Sequence, residues 1–182
     1  MRIVYVIGKY ITFPGAFLRA FWEQLTCLLL GIPVEHQGYL RADEMCGHIE
    51  HFLPEKASAA FVQATAPGVM GLLTGLPMFM LGFVNLRFMG FIFGDSAAMF
   101  ILYIVMTYVG ASIMCCLHPQ YEVAINLWDI TLSKIRSGNA KSVIGGLFMF
   151  LPSFFVYIGA VLERFSVPVL IWAVSVTLAF VI

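Results

Sequence analysis

Charged residues are scarce in this sequence. Asp, Glu, Lys and Arg make up 11% of its 182 residues, against about 25% in a soluble domain. That shortage excludes an ordinary soluble module. The formal net charge is zero, so there is no basic surplus of the kind nucleic acid selects. Cysteines are few: Cys27, Cys46, Cys115 and Cys116, with no C-x-x-C among them. Three of the four fall in apolar segments, where a free cysteine behaves as a small hydrophobe. Disulfide or redox chemistry is the alternative use. No phosphate loop, serine triad, internal repeat or low-complexity tract is found.

Hydrophobic residues are what the chain has instead, at 61% and a mean hydropathy of +0.94. The class is an integral membrane protein, and the length suits one domain. The opening MRIVYVIGKYITFPG lacks a small-residue cleavage site, so the N-terminus is expected to be retained. A membrane helix needs roughly 20 mainly apolar residues. Spans are expected at about 10–32, 57–84, 96–117, 143–162 and 166–182. Glu163, Arg164 and Pro168 separate the last two. The final span is short and apolar to its end, which suits cover by a partner. Pro67, Gly71, Gly75, Pro77 and Gly82 punctuate the second span. They fit either a kinked, closely packed helix or a broken helix lining a cavity.

Two connections are long enough to hold structure. Residues 33–55 carry two short runs around Arg41-Ala42-Asp43-Glu44, the pattern of a β-hairpin. In 121–136, Val123, Leu127 and Ile130 recur at helical spacing, predicting an amphipathic helix at the membrane interface. Lys134, Arg136 and Lys141 at its far end suit anionic headgroups. The expected architecture is an all-α membrane protein of four to five spans with a hairpin insertion and an interfacial helix. With five spans, Arg41, Lys56, Lys134, Arg136 and Lys141 share one side, against Arg2, Lys9, Arg87 and Arg164. The excess of one cation favours the first side as cytoplasmic.

The first apolar segment holds Arg19 and Glu23 four residues apart. Ionisable residues inside an apolar span are costly and mark a site by default. The surrounding FPGAFLRAFWEQLTCLLLGIPV resembles the first helix of small multi-span metalloproteases related to the site-2 protease family. Their pattern is F-P-G-x-x-x-H-E-x-x-H followed by L-G-V. GHIEHFLPEKASAAFVQATAPG is similar to that family's hairpin leading into an A-P-containing span. YVGASIMCCLHPQYEVAINLWD resembles its third-span end. The three similarities keep the family's order and cover about residues 10–130.

The resemblance places Arg19, Ala20 and Glu23 where the family has its first histidine, its general base and its second histidine. Two histidines at i and i+4 bind Zn²⁺, and the glutamate activates the metal-bound water. Arginine cannot deprotonate into a ligand, and Ala20 offers a methyl group where a base is needed. The expectation is therefore a pseudo-protease: a non-catalytic structural or regulatory subunit among other membrane subunits and lipids, with no nucleic acid and no cofactor. Arg19 and Glu23 are expected to neutralise each other as a structural charge pair.

Two rival readings stand beside it. His36, Cys46, His48 and His51 of the hairpin, with Glu122, form a candidate relocated zinc set for an active metallohydrolase. The hairpin edge is alternatively a place for β-addition by another chain. Glu122 is the nearest acidic counterpart to the family's third ligand, with Asp129 as an alternative. His118, at a membrane end, is the candidate axial ligand of a haem-bearing redox anchor.

Overall fold

The computed structural model of the chain describes residues 7–8, 10–38, 48–89 and 97–181. The protein is mostly helical, with one small antiparallel sheet. Helix α1 spans Phe13–Leu30, strands β1 and β2 span Val34–Gly38 and His48–His51, and α2 spans Ala57–Val84. Next come a π-helical turn at Asn85–Met89, α3 at Ala97–Met114, α4 at Tyr121–Arg136, α5 at Ala140–Arg164 and α6 at Val167–Val181.

Local chemistry accounts for the boundaries. Pro14 sits in the first turn of α1, where its missing N–H costs nothing. Gly31 ends that helix in the left-handed conformation, φ 67°, and the Ile32 amide donates to the Cys27 carbonyl at 2.8 Å. The Asn139 side chain caps α5 by accepting from the Lys141 amide. The break between α5 and α6 falls at Phe165 and Ser166, just after the expected Glu163-Arg164, and Ser166 takes φ 56°.

The hairpin pairs Gly38 with His48, Gln37 with Ile49 and His36 with Glu50, and an irregularity follows before Val34 meets His51. Its turn, including Arg41 through Cys46, lies outside the described residues.

Helix α2 is continuous, which removes the broken-helix alternative. Its glycines serve packing instead. A Cβ at Gly75 would meet Ile113, and one at Gly82 would meet Thr107, so the two helices touch at backbone distance. Helix α3 covers the C-terminal half of α2. The N-terminal half meets α4 and α5, where Ala60, Ala64, Val123 and Leu127 form a core flanked by Phe61, Ile130, Met149 and Val156. The apolar stripe of α4 thus faces protein. Periodicity identifies an apolar face, and here α2 and α5 cover it.

Among the described residues, three helices are long and apolar enough to cross a membrane: Ala57–Phe88, Ala97–Met114 and Ala140–Arg164. Two of the five expected spans fall short of that. Helix α1 is diluted by Arg19, Glu23 and Gln24, and α6 has 15 residues, about 22 Å of helix against a hydrocarbon core of about 30 Å.

Candidate functional site

The buried face of α1 carries Ala16, Arg19, Ala20, Glu23, Thr26 and Cys27. Spacing of three and four residues puts them on one side of the helix. Alanine at 16 and 20 lets neighbouring elements approach, and the two charged side chains are sealed beneath them. Arg19 is 6% exposed and Glu23 2%.

Each charge has a partner from a distant part of the chain. Arg19 Nη1 donates to Glu163 Oε1 at 2.8 Å, with both side chains buried. The same nitrogen reaches the His118 carbonyl at 3.4 Å. The His118 amide donates to Glu163 Oε2 at 3.2 Å, so the turn after α3 closes the pair from above. The His118 ring lies over Gly159, where any Cβ would collide with it. Its Nδ1 is 3.9 Å from Glu163.

Glu23 is held by the hairpin and by the turn before α4. His51 Nε2 lies 3.1 Å from Glu23 Oε1, and Gln120 Nε2 donates to Glu23 Oε2 at 3.5 Å. His51 Nδ1 lies 3.2 Å from the Phe52 carbonyl. Both neighbours are acceptors, so the ring is satisfied as the imidazolium, with a proton on each nitrogen. Gln63 from α2 sits within 3.1 Å of both ring nitrogens and 3.6 Å from Cys27 Sγ. Its Oε1 has no hydrogen-bond partner. Turning the amide would set its carbonyl oxygen against the ring nitrogens in place of the amide nitrogen; the two amide orientations have the same shape.

The result is a centre in which the Arg19 guanidinium faces the Glu163 carboxylate and the His51 ring faces that of Glu23. The expected pair within α1 gives way to two clamps, one to α5 and one to the hairpin. Beside Glu163, a cavity of about 10 Å³ lies among Gly8, Thr12, Cys115 and Ser166, room for about one water.

The other candidate residues separate. Ile49 is buried and Glu50 exposed, so strand alternation turns His51 inward with Ile49. His36 and His48 lie on the strands with side chains outside the described set, and Cys46 lies outside the described residues. Glu122 and Asp129 are exposed on α4, on neither clamp. Among the described residues no three His, Cys, Asp or Glu side chains converge as a metal set. Glu23 and His51 are ligand types, and they are engaged with each other.

Sequence reasoning missed Glu163, Gln63 and Gln120. Glu163 had a signal: a lone acid between two apolar helices needs a buried partner. The two glutamines carried none, because uncharged polar residues are common at turns and in helices.

Burial alone lowers the His51 pKa. The Glu23 hydrogen bond and charge, with the Phe52 carbonyl, outweigh it and hold the value above the ordinary 6.5. A group whose folded pKa is raised stabilises fully below its unfolded value and loses that contribution as pH rises through the folded value. The melting temperature of the detergent-solubilised protein is therefore expected to fall on alkalinisation above about pH 6.5, by about 2–4 °C per kcal/mol lost. His51→Asn is expected to flatten that portion of the profile. An unchanged profile in the variant would assign the pH dependence elsewhere.

No protein-family model, curated protein or solved structure matches the chain.

Proposed function

We propose that the chain is a non-catalytic structural or regulatory subunit of a larger membrane assembly, built on a fold akin to intramembrane metalloproteases. The observation that carries this reading is the 2.8 Å pair between Arg19 and Glu163. By the resemblance, Arg19 stands at a zinc-ligand position, and here it is a buried cation tied to a carboxylate. A fixed guanidinium repels a divalent ion and has no lone pair to offer it. Ala20, at the general-base position, is fully buried and has no proton acceptor. Glu23, at the second ligand position, is engaged by His51. What remains at this centre joins helices to each other and to the hairpin.

The surface supports a partnered or lipid-covered protein. Large apolar side chains are exposed along α1, α2, α3, α5 and α6, among them Leu28 and Leu29 at 70% and 78%. Exposed apolar area on this scale belongs in lipid or against other subunits.

Purification from the native membrane in mild detergent tests the reading. Mass spectrometry is expected to find other integral membrane proteins in fixed ratio to this chain, and elemental analysis well under one zinc per chain. A lone chain carrying one zinc sinks the proposal.

A further inference from the structure

Helices α4 and α5 form an antiparallel pair joined at Ser137–Asn139, where Gly138 adopts φ 70°. They lie lengthwise against each other. Tyr121 meets Tyr157 at one end, Thr131 bonds Ser153 at 2.8 Å in the middle, and Ile135 packs on Gly146 near the turn. Trp128 adds ring contacts with Phe150 and Tyr157.

The two outward faces of this pair differ sharply. On α4, Glu122, Asp129, Ser133 and Arg136 are exposed; offsets of seven, four and three residues make them one stripe, turned away from the Thr131 side. On α5, Ile144, Leu147, Phe148, Leu151 and Phe155 are exposed by 55%, 60%, 81%, 60% and 63%. That stripe lies opposite Gly146, Phe150, Ser153 and Tyr157, which face α4. The order through the layer is polar stripe, α4, α5, apolar stripe.

The joined end adds a third feature. Lys134, Arg136 and Lys141 cluster there, and no acidic residue occurs between Asp129 and Glu163. A helix that crosses a bilayer would carry its lengthwise neighbour to membrane depth. Crossing by α5 would therefore bring the Glu122 and Asp129 carboxylates on the outer side of α4 into the hydrocarbon, where ionised groups are costly. In-plane placement removes that conflict: the apolar stripe enters the acyl region while the polar stripe stays in water. Lys134 and Lys141 then lie at the depth of lipid phosphates.

The geometry points to an in-plane membrane hairpin: the α4–α5 pair lies on an anionic bilayer, with α5 facing the acyl chains, α4 facing water, and Lys134 and Lys141 on anionic phospholipid headgroups. Helix α5 is long and apolar enough to cross, and its neighbour's charged face keeps it at the surface. This inference does not depend on the proposed subunit role.

Single-cysteine labelling of the full chain tests it, in sealed vesicles of known orientation containing phosphatidylglycerol and on a Cys46→Ser background. The remaining native cysteines are buried. A membrane-impermeant maleimide is expected to label Ser137→Cys, Asp129→Cys and Arg164→Cys from the same side, and to leave Phe148→Cys at least tenfold slower. Labelling of Ser137→Cys and Arg164→Cys from opposite sides means that α5 crosses, and overturns the proposal. Equal protection of Asp129→Cys and Phe148→Cys overturns it as well. For the headgroup contact, the combined K134Q and K141Q variant is expected to retain at least fivefold less phosphatidylglycerol through mild-detergent purification. Equal retention would remove those cations from the site.

Discussion

Arg19→Ala is expected to lose about 3–5 kcal/mol of stability, the range found when one member of a buried ion pair is removed. The loss comes mainly from Glu163, which would stay buried beside an empty space with its charge uncompensated. The His118 amide at 3.2 Å is a neutral donor and cannot supply a full countercharge. Glu163→Ala is expected to cost a similar amount from the opposite side, leaving the guanidinium without its carboxylate on α5. The informative comparison is Arg19→Met combined with Glu163→Leu. Apolar replacement of both members is often neutral or stabilising, so the double variant is expected to recover most of either single loss. Thermal unfolding in detergent, read with folded yield, measures the coupling. The rescue is specific: Glu23→Ala paired with Arg19→Ala is expected to recover little, because Glu23 answers to His51 and Gln120. Equal rescue by both second substitutions would mean that the guanidinium is balanced within α1 after all.

The second large effect belongs to the close contact of α2 and α3. Gly110→Leu is expected to cost about 3 kcal/mol or more, the upper end for overpacking. Any Cβ at Gly110 would press on the Phe79 backbone and its Cβ. Backbone cannot swing aside as a long side chain does, so the helices must separate. Separation also loosens Trp172 of α6, whose ring meets Phe79 edge-on at 4.5 Å. Gly145→Ala in α5 is the control. Nothing lies within 4 Å of its added methyl, and alanine gains up to about 1 kcal/mol of helix propensity over glycine. Comparable yields of Gly110→Leu and Gly145→Ala would show that α2 and α3 tolerate separation.

Much of the fold was legible in local pattern. The run 57–84 and the amphipathic stretch 121–136 coincide with α2 and α4, because periodicity and apolar length are local properties. The hairpin was legible for the same reason, in two short runs around a polar turn. The candidate centre was legible by half. Arg19 and Glu23 stood out as charges in an apolar helix, and their burial follows from that. Their i,i+4 spacing pointed to each other. The fold answers with Glu163, which is 144 residues from Arg19, and with His51, which is 28 from Glu23. Among the hairpin histidines, strand parity with Ile49 identifies His51 as inward-facing, but only once the register is known.

The amino-acid sequence alone determined that this chain is apolar enough for a membrane, where its long helices run, and that α1 buries two opposite charges. Those are consequences of composition and short-range spacing. Tertiary structure decided which charge answers which, that the α4 stripe turns toward Ala60 and Ala64, and that the α4–α5 pair has a polar and an apolar side. Hydrophobic patterning specifies that a face must be covered and a charge compensated. It carries no information about which distant element does so. That choice depends on helix packing, and here it rests on small residues such as Gly15, Gly82 and Gly110 that allow backbones to meet.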